Sequence, residues 1–164
     1  MIHGPTNIIL AGKSLISADV VLRGDLVRTL PSSSQPGTTG GASKPGAQIA
    51  ISTGRHVVLE KGANLHPPAR LHRGVFSHHP LKIGDNVHVG HGAVIQAAAV
   101  GNNVWIGSGA VLGNMCIVKD CVKILEGAVV PEGAVIPSGW IVGGRPARWL
   151  GDVGVGWEGP ERRA

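Results

Sequence analysis

Aliphatic residues recur at every sixth position through the second half of the chain: Val100, Ile106, Leu112, Val118, Ile124, Val130, Ile136 and Val142. A helix repeats its buried face every 3.6 residues and a strand every 2.0, so neither alone produces this interval. A short strand followed by a corner does. Three such units close a triangular coil of about 18 residues, and stacked coils make a parallel β-helix. The residue after the aliphatic one is often Gly (Gly101, Gly107, Gly113, Gly143) or Pro (Pro131, Pro137), which suits a tight corner. The residue four after it is small or β-branched (Val104, Ala110, Cys116, Val122, Ala128, Ala134), as the inside of a narrow prism requires. The competing reading is a chance apolar pattern in an ordinary β-sandwich.

The register extends upstream. Ile83, Val89 and Ile95 keep the interval, but Ile95 to Val100 is five residues, so one corner near residues 96–99 is a residue short. Leu59 and Leu65 fit, with Thr53 as a weak member, and Leu10, Ile16 and Leu22 form another in-phase set. Two segments break the phase. Residues 31–50 are rich in Ser, Gly and Pro without apolar periodicity and read as a disordered insertion. Residues 66–82 separate two in-phase positions by 18 and read as an excursion that replaces most of a coil. The expected organisation is one β-helix over residues 1–150 and a Gly-rich tail over 151–164.

Composition agrees with thin stacked layers. Hydrophobic residues make up 43% of the 164 but aromatics only 3%, so the core must be built from Val, Ile, Leu and Ala. Each coil buries its inward aliphatics against the next, but an end coil has nothing on one side and needs a cap or a partner. No run of about 18 apolar residues exists and no signal peptide opens the chain, so a soluble intracellular protein without membrane insertion is expected. Cys116 falls at an inward position and reads as a buried thiol; with Cys121 as the second cysteine there is no disulfide framework. The net charge of +5 raises the question of nucleic acid, but the basic residues are scattered and aromatic surface for base stacking is nearly absent. An acidic protein partner is the better use of that charge.

Eight histidines include a cluster between 66 and 91, which invites a zinc reading. The segments VVLRGDL, LEKGANLH and VGHGAVIQ resemble the γ-class carbonic anhydrases, which are left-handed β-helix trimers holding zinc between subunits with three His. Residue by residue, the resemblance makes His66 the first ligand and His91 the second, places the family's metal-side Gln at Glu60, and puts Gln96 where the third His belongs. A hydrating zinc needs three firm protein ligands and one open position, and a neutral amide oxygen does not complete that set. The resemblance therefore implies a degenerate site, with no metal and no catalytic residue. His78 and His79, flanking Pro80, read as surface residues.

A second resemblance is more specific. NIILAGKSLI (7–16), RGDL (23–26), HPLKIGDNVHV (79–89) and VKDCVKILEGAVVPEGAVIP (118–137) are similar to the dynactin subunit 5 family, with the Lys119-Asp120-Cys121 and Lys123-Ile124-Leu125 string as its strongest marker. It implies an all-β, single-stranded left-handed parallel β-helix of hexapeptide repeats. It also implies a non-catalytic interaction subunit of the dynactin pointed-end complex, cytoplasmic and cytoskeleton-associated. Such a subunit pairs with dynactin subunit 6 and other pointed-end subunits and supports cargo or adaptor recruitment to dynein. It needs no cofactor. Arg23 and Asp25 match a family Arg/Asp pair at the subunit interface, where they would ion-pair within or between chains. Two enzymatic alternatives remain: a zinc-dependent γ-anhydrase, and a hexapeptide acyltransferase using His91, although no CoA-binding coil is recognisable.

Overall fold

The computed structural model describes residues 1–27 and 48–154. The described chain winds through six coils, each laying one short strand on each of three parallel sheets, as a left-handed parallel β-helix. The first face carries Ile2–His3, Val21–Arg23, Asn64–Leu65, Val94–Ile95, Val111–Leu112 and Val129–Val130. Ile8–Leu10, Ile51–Thr53, Leu81–Ile83, Ala99–Val100, Ile117–Val118 and Val135–Ile136 form the second. Leu15–Ile16, Val58–Leu59, His88–Val89, Trp105–Ile106, Lys123–Ile124 and Trp140–Gly143 form the third. The one helical turn among the described residues is the 3-10 segment Pro5–Asn7, at a corner of the first coil.

The interval of six is one side of this prism. Its eight downstream members are all buried, at 5% exposure or less, and the residues four further on, Val104, Ala110, Cys116, Val122 and Ala128, are buried with them. Stacking is in register: Ile106 pairs with Val89 below and Ile124 above, and Ile124 with Val142. Between Ile95 and Val100 the shortened corner brings Ala97 inside instead, and it is fully buried. Thr53 does take its inward place, with its hydroxyl buried and unpaired.

Two parts of the chain are organised differently from the expectation. Residues 66–82 do not replace a coil. Leu65 and Leu81–Ile83 belong to the same coil, and the extra residues leave it at one corner as an antiparallel hairpin, Ala69–His72 with Val75–His78. His79 N–H closes its base on the Pro68 carbonyl (2.7 Å). The Asn114 side chain, two coils above, pins it through paired bonds with the Ala69 backbone (2.8 and 2.7 Å). At the C-terminal end, Gly151 and Asp152 belong to a strand, Arg148–Asp152, that folds back antiparallel on Trp140–Gly143. The insertion at 31–50 lies outside the described residues except at its end, where Ala50 is already buried in the second coil.

Both cysteines are free, and they sit in different surroundings. Burial pushes the Cys116 thiol up to about 12, whereas Cys121 stands half-buried at a corner. Thiolate is the reactive form. A maleimide at pH 8 should therefore modify Cys121 in the native chain and reach Cys116 only on unfolding, as followed by mass spectrometry of digested protein. Equal labelling rates would show that the fifth coil opens in the native state.

Candidate functional site

The residues carried over from the metal-binding resemblance occupy two different corners of the prism. His66 and Gln96 follow the paired strands Asn64–Leu65 and Val94–Ile95 at one corner, with His66 N–H donating to the Ile95 carbonyl (2.9 Å). His91 follows His88–Val89 at the next corner, on top of Glu60. A single chain thus stacks His66 beneath Gln96 and holds His91 apart from both. Glu60 is engaged by protein groups: one carboxylate oxygen lies 3.0 Å from His88 Nε2 and the other accepts the His91 N–H at 3.0 Å. His66 Nδ1 lies 3.0 Å from the Pro67 carbonyl oxygen. Among the described residues no three His, Cys, Asp or Glu side chains are grouped closely enough to hold a metal ion.

The hairpin gives His66 a neighbour that spacing did not reveal. His78 packs between the His66 ring (centroids 6.2 Å) and the edge of Phe76 (5.2 Å). Burial, then the nearby His66, hold the His78 imidazolium below its ordinary range. His78 and His79 are half-buried at the hairpin base, not open surface. Leu71 and Phe76, a cross-strand pair, are exposed. A cavity of about 390 Å³ opens between the hairpin and the corner of the upper coils, lined by Arg70, Leu71, Asn114, Met115 and Glu132.

Arg23 and Asp25 meet within the chain. The guanidinium grips the carboxylate through two parallel bonds, Nε to Oδ1 and Nη2 to Oδ2, both 2.9 Å. That hydrogen-bonded pairing lowers the Asp25 carboxyl to about 2 and raises Arg23 further. The pair therefore stays charged at neutral pH and loosens only as the pH falls below the ordinary carboxylate range toward 2. Both side chains remain about a third exposed, at 35% and 40%, so the fork is formed yet still reachable from outside.

The third face carries a ladder the sequence reading passed over. Outward His88, Trp105 and Lys123 stand on successive coils; His88 stacks on Trp105 (6.2 Å, 10° between planes) and Lys123 Nζ lies 5.2 Å over the same indole. Outward positions of adjacent coils are always neighbours in a β-helix, so residues offset by 17 or 18 would have predicted it.

Short strands on three sheets, a six-residue inward period and stacked corners define a hexapeptide-repeat left-handed β-helix. A hexapeptide transferase family protein from Anaplasma phagocytophilum shares it with a TM-score of 0.66 and 19% identity, over 92% of this chain and 71% of that one. A hexapeptide-repeat-containing acetyltransferase from Vibrio cholerae, solved with acetyl coenzyme A, gives 0.55 and 17%, over 88% and 70%. At these identities the likeness is one of fold. The chain belongs to the dynactin subunit 5 family, whose model matches residues 44–156. Dynactin subunit 5 of Dictyostelium discoideum is 30% identical over 98 residues, 60% of this chain and 38% of that protein, so the match spans well under half of the relative's length.

Proposed function

We propose that this chain is a non-catalytic structural subunit of dynactin, seated at the pointed end beside the related β-helix subunit 6. There it supports recruitment of cargo or adaptors to dynein in microtubule-based transport. On this reading it works in the cytoplasm, associated with the cytoskeleton. The observation that carries the reading is the family match, which spans the prism from the second coil to the C-terminal strand. The corners support it. Activating water on zinc takes three firm ligands and one open position; here the corner bearing His66 offers Gln96 where a second imidazole would be needed. What the fold supplies instead is a rigid rod of flat faces, with a rise of about 4.8 Å per coil, on which protein partners can seat. Among the described residues no helix is long and apolar enough to cross a membrane.

Affinity purification of the tagged chain from native cytosol should bring down dynactin subunits, including the β-helix partner of the pointed end. Absence of every dynactin subunit from the eluate would overturn the assignment. Arg23→Glu should leave the chain folded, since the pair lies outside the apolar core, but should lower recovery of the β-helix partner several-fold. Unchanged recovery would place the contact elsewhere. Protein purified without chelators should carry far less than one zinc per chain, whereas stoichiometric zinc would return the γ-anhydrase reading.

A further inference from the structure

The hairpin leaves one of its edges only partly occupied. Its turn, Arg73–Gly74, has φ of 49° and 76°, the type I′ geometry that closes the His72–Val75 pair with hydrogen bonds. In an antiparallel ladder every second residue pair is bonded in this way. The Arg70–Ser77 pair is next, and the His79 N–H on the Pro68 carbonyl (2.7 Å) shows the same phase two residues further down. The peptide groups of Ala69 and Leu71 therefore turn away from Val75–His78 and point out along the other edge of Ala69–His72.

At Ala69 that edge is filled. Asn114 Oδ1 accepts the Ala69 N–H (2.8 Å) and Asn114 Nδ2 donates to the Ala69 carbonyl (2.7 Å), so a side-chain amide takes the place of a peptide group in a third strand. Leu71 is the next residue to face the same way, about 7 Å along the strand. No described residue bonds its N–H or its carbonyl. The cavity of about 390 Å³ lies there, between this edge and the corners at Asn114, Met115, Glu132 and Gly133. Its volume is among the roughly 300–1,000 Å³ of ligand sites.

Charge says what kind of strand fits. From His66 to Pro80 the chain has no acidic residue, and Arg70 and Arg73 are exposed, with no ion pair to a described residue. Arg70 lines the cavity, and Arg73 stands at the turn beyond it. Glu132 closes the opposite end, where its Oε1 accepts from Asn114 Nδ2 (3.2 Å). We propose that this edge takes up an extended, acidic segment of a partner protein as a third strand. The segment bonds through its backbone to the Leu71 N–H and carbonyl and lays an apolar side chain on Leu71 and Met115. Its carboxylates lie at the outer end, toward Arg70 and Arg73 and away from Glu132. A helical partner has no free peptide edge to offer Leu71, because its own ladder uses those groups.

This site rests on the hairpin's own geometry and not on the dynactin reading, so each can fail without the other. The full 164-residue chain serves as bait for a phage-displayed library of short random peptides. Selected peptides should be aliphatic or β-branched in the middle and rich in Asp and Glu at one end. Labelled copies, read by fluorescence polarisation, should bind Leu71→Pro about tenfold more weakly, because Pro removes the N–H on the open edge and none that the hairpin uses. Arg70→Glu should weaken binding about threefold and lessen its dependence on salt. Lys119→Glu, the same change of charge at an exposed corner between the second and third faces, should leave binding unchanged. Hydrogen exchange followed by NMR needs no variant: the Leu71 amide should exchange fast in the free chain and about tenfold more slowly with peptide bound. A library from which no peptide is enriched would overturn the proposal. So would selected peptides that are basic, that bind Leu71→Pro as well as wild type, or that leave exchange at Leu71 unchanged.

Discussion

Ile124→Asp should abolish folding. Ile124 is fully buried, with Ile106 beneath it and Val142 above in the third sheet. The prism at that height is filled by Leu112, Val118, Val122 and Ala128, all apolar and all buried. A carboxylate there has no cation or donor to meet. Leaving it ionised or forcing it neutral costs several kcal/mol, and loss of the aliphatic packing adds about 2 kcal/mol or more. A domain's whole net stability is about 5–15 kcal/mol, so the two losses together are of the same size. The expected result is no β circular dichroism signal and no cooperative melting transition. Val135→Asp is the control. Val135 points outward from the second face and is 55% exposed, so its variant should melt within a few degrees of wild type. An Ile124→Asp chain that folds and melts like wild type would mean that the six-residue period does not mark the interior.

The prism was legible because its inward side chains repeat at a fixed interval, and burial is a property each coil imposes in the same way. Even the five-residue step from Ile95 to Val100 could be read, since a missing residue in a periodic run has only one place to go. What spacing could not give was the path of a segment that leaves the period. Residues 66–82 add a length close to one coil, and a coil and a hairpin are equal in length. The contact that holds the hairpin to the prism comes from Asn114, far away in sequence, gripping the Ala69 backbone, and spacing carries no sign of it. The same limit hid the His66–His78 contact. At the ends the period itself misled: Leu10 has the phase of a core residue, yet it is 40% exposed because burial needs a coil on both sides. For the site residues, sequence identified which side chains stand at corners but not which corners coincide. His66 and Gln96 share one, while His91 shares another with Glu60, because one coil step returns the chain to the same corner and a third of a step does not.

The glycines that follow the inward aliphatics are there for a reason other than turn geometry, and the second large effect follows from it. A Cβ added to Gly107 would fall 2.5 Å from the Glu126 backbone nitrogen and 2.8 Å from the Leu125 carbonyl carbon, both in the coil above. Gly107 N–H donates to the Ile124 carbonyl at 2.8 Å, so the two coils are held at that spacing by the ladder itself. Backbone cannot step aside as a side-chain end can. Gly107→Ala must either lengthen hydrogen bonds on that corner or tilt the fifth coil on the fourth, at a cost of about 2–3 kcal/mol. Gly109, two residues on, is glycine for the opposite reason. Its φ is +67°, but nothing lies within 4 Å of the space a Cβ would take. Equivalent corner positions elsewhere are held by Asn103 and Met115 at φ of 53° and 60°, so a side chain is tolerated there. Gly109→Ala should cost only about 1–2 kcal/mol, and Gly109→Asn less. Urea denaturation of the three variants should rank them Gly107→Ala least stable, then Gly109→Ala, then Gly109→Asn. If Gly109→Ala proved the more damaging of the two alanine variants, the left-handed backbone, not the close approach of stacked coils, would be what makes these corners depend on glycine.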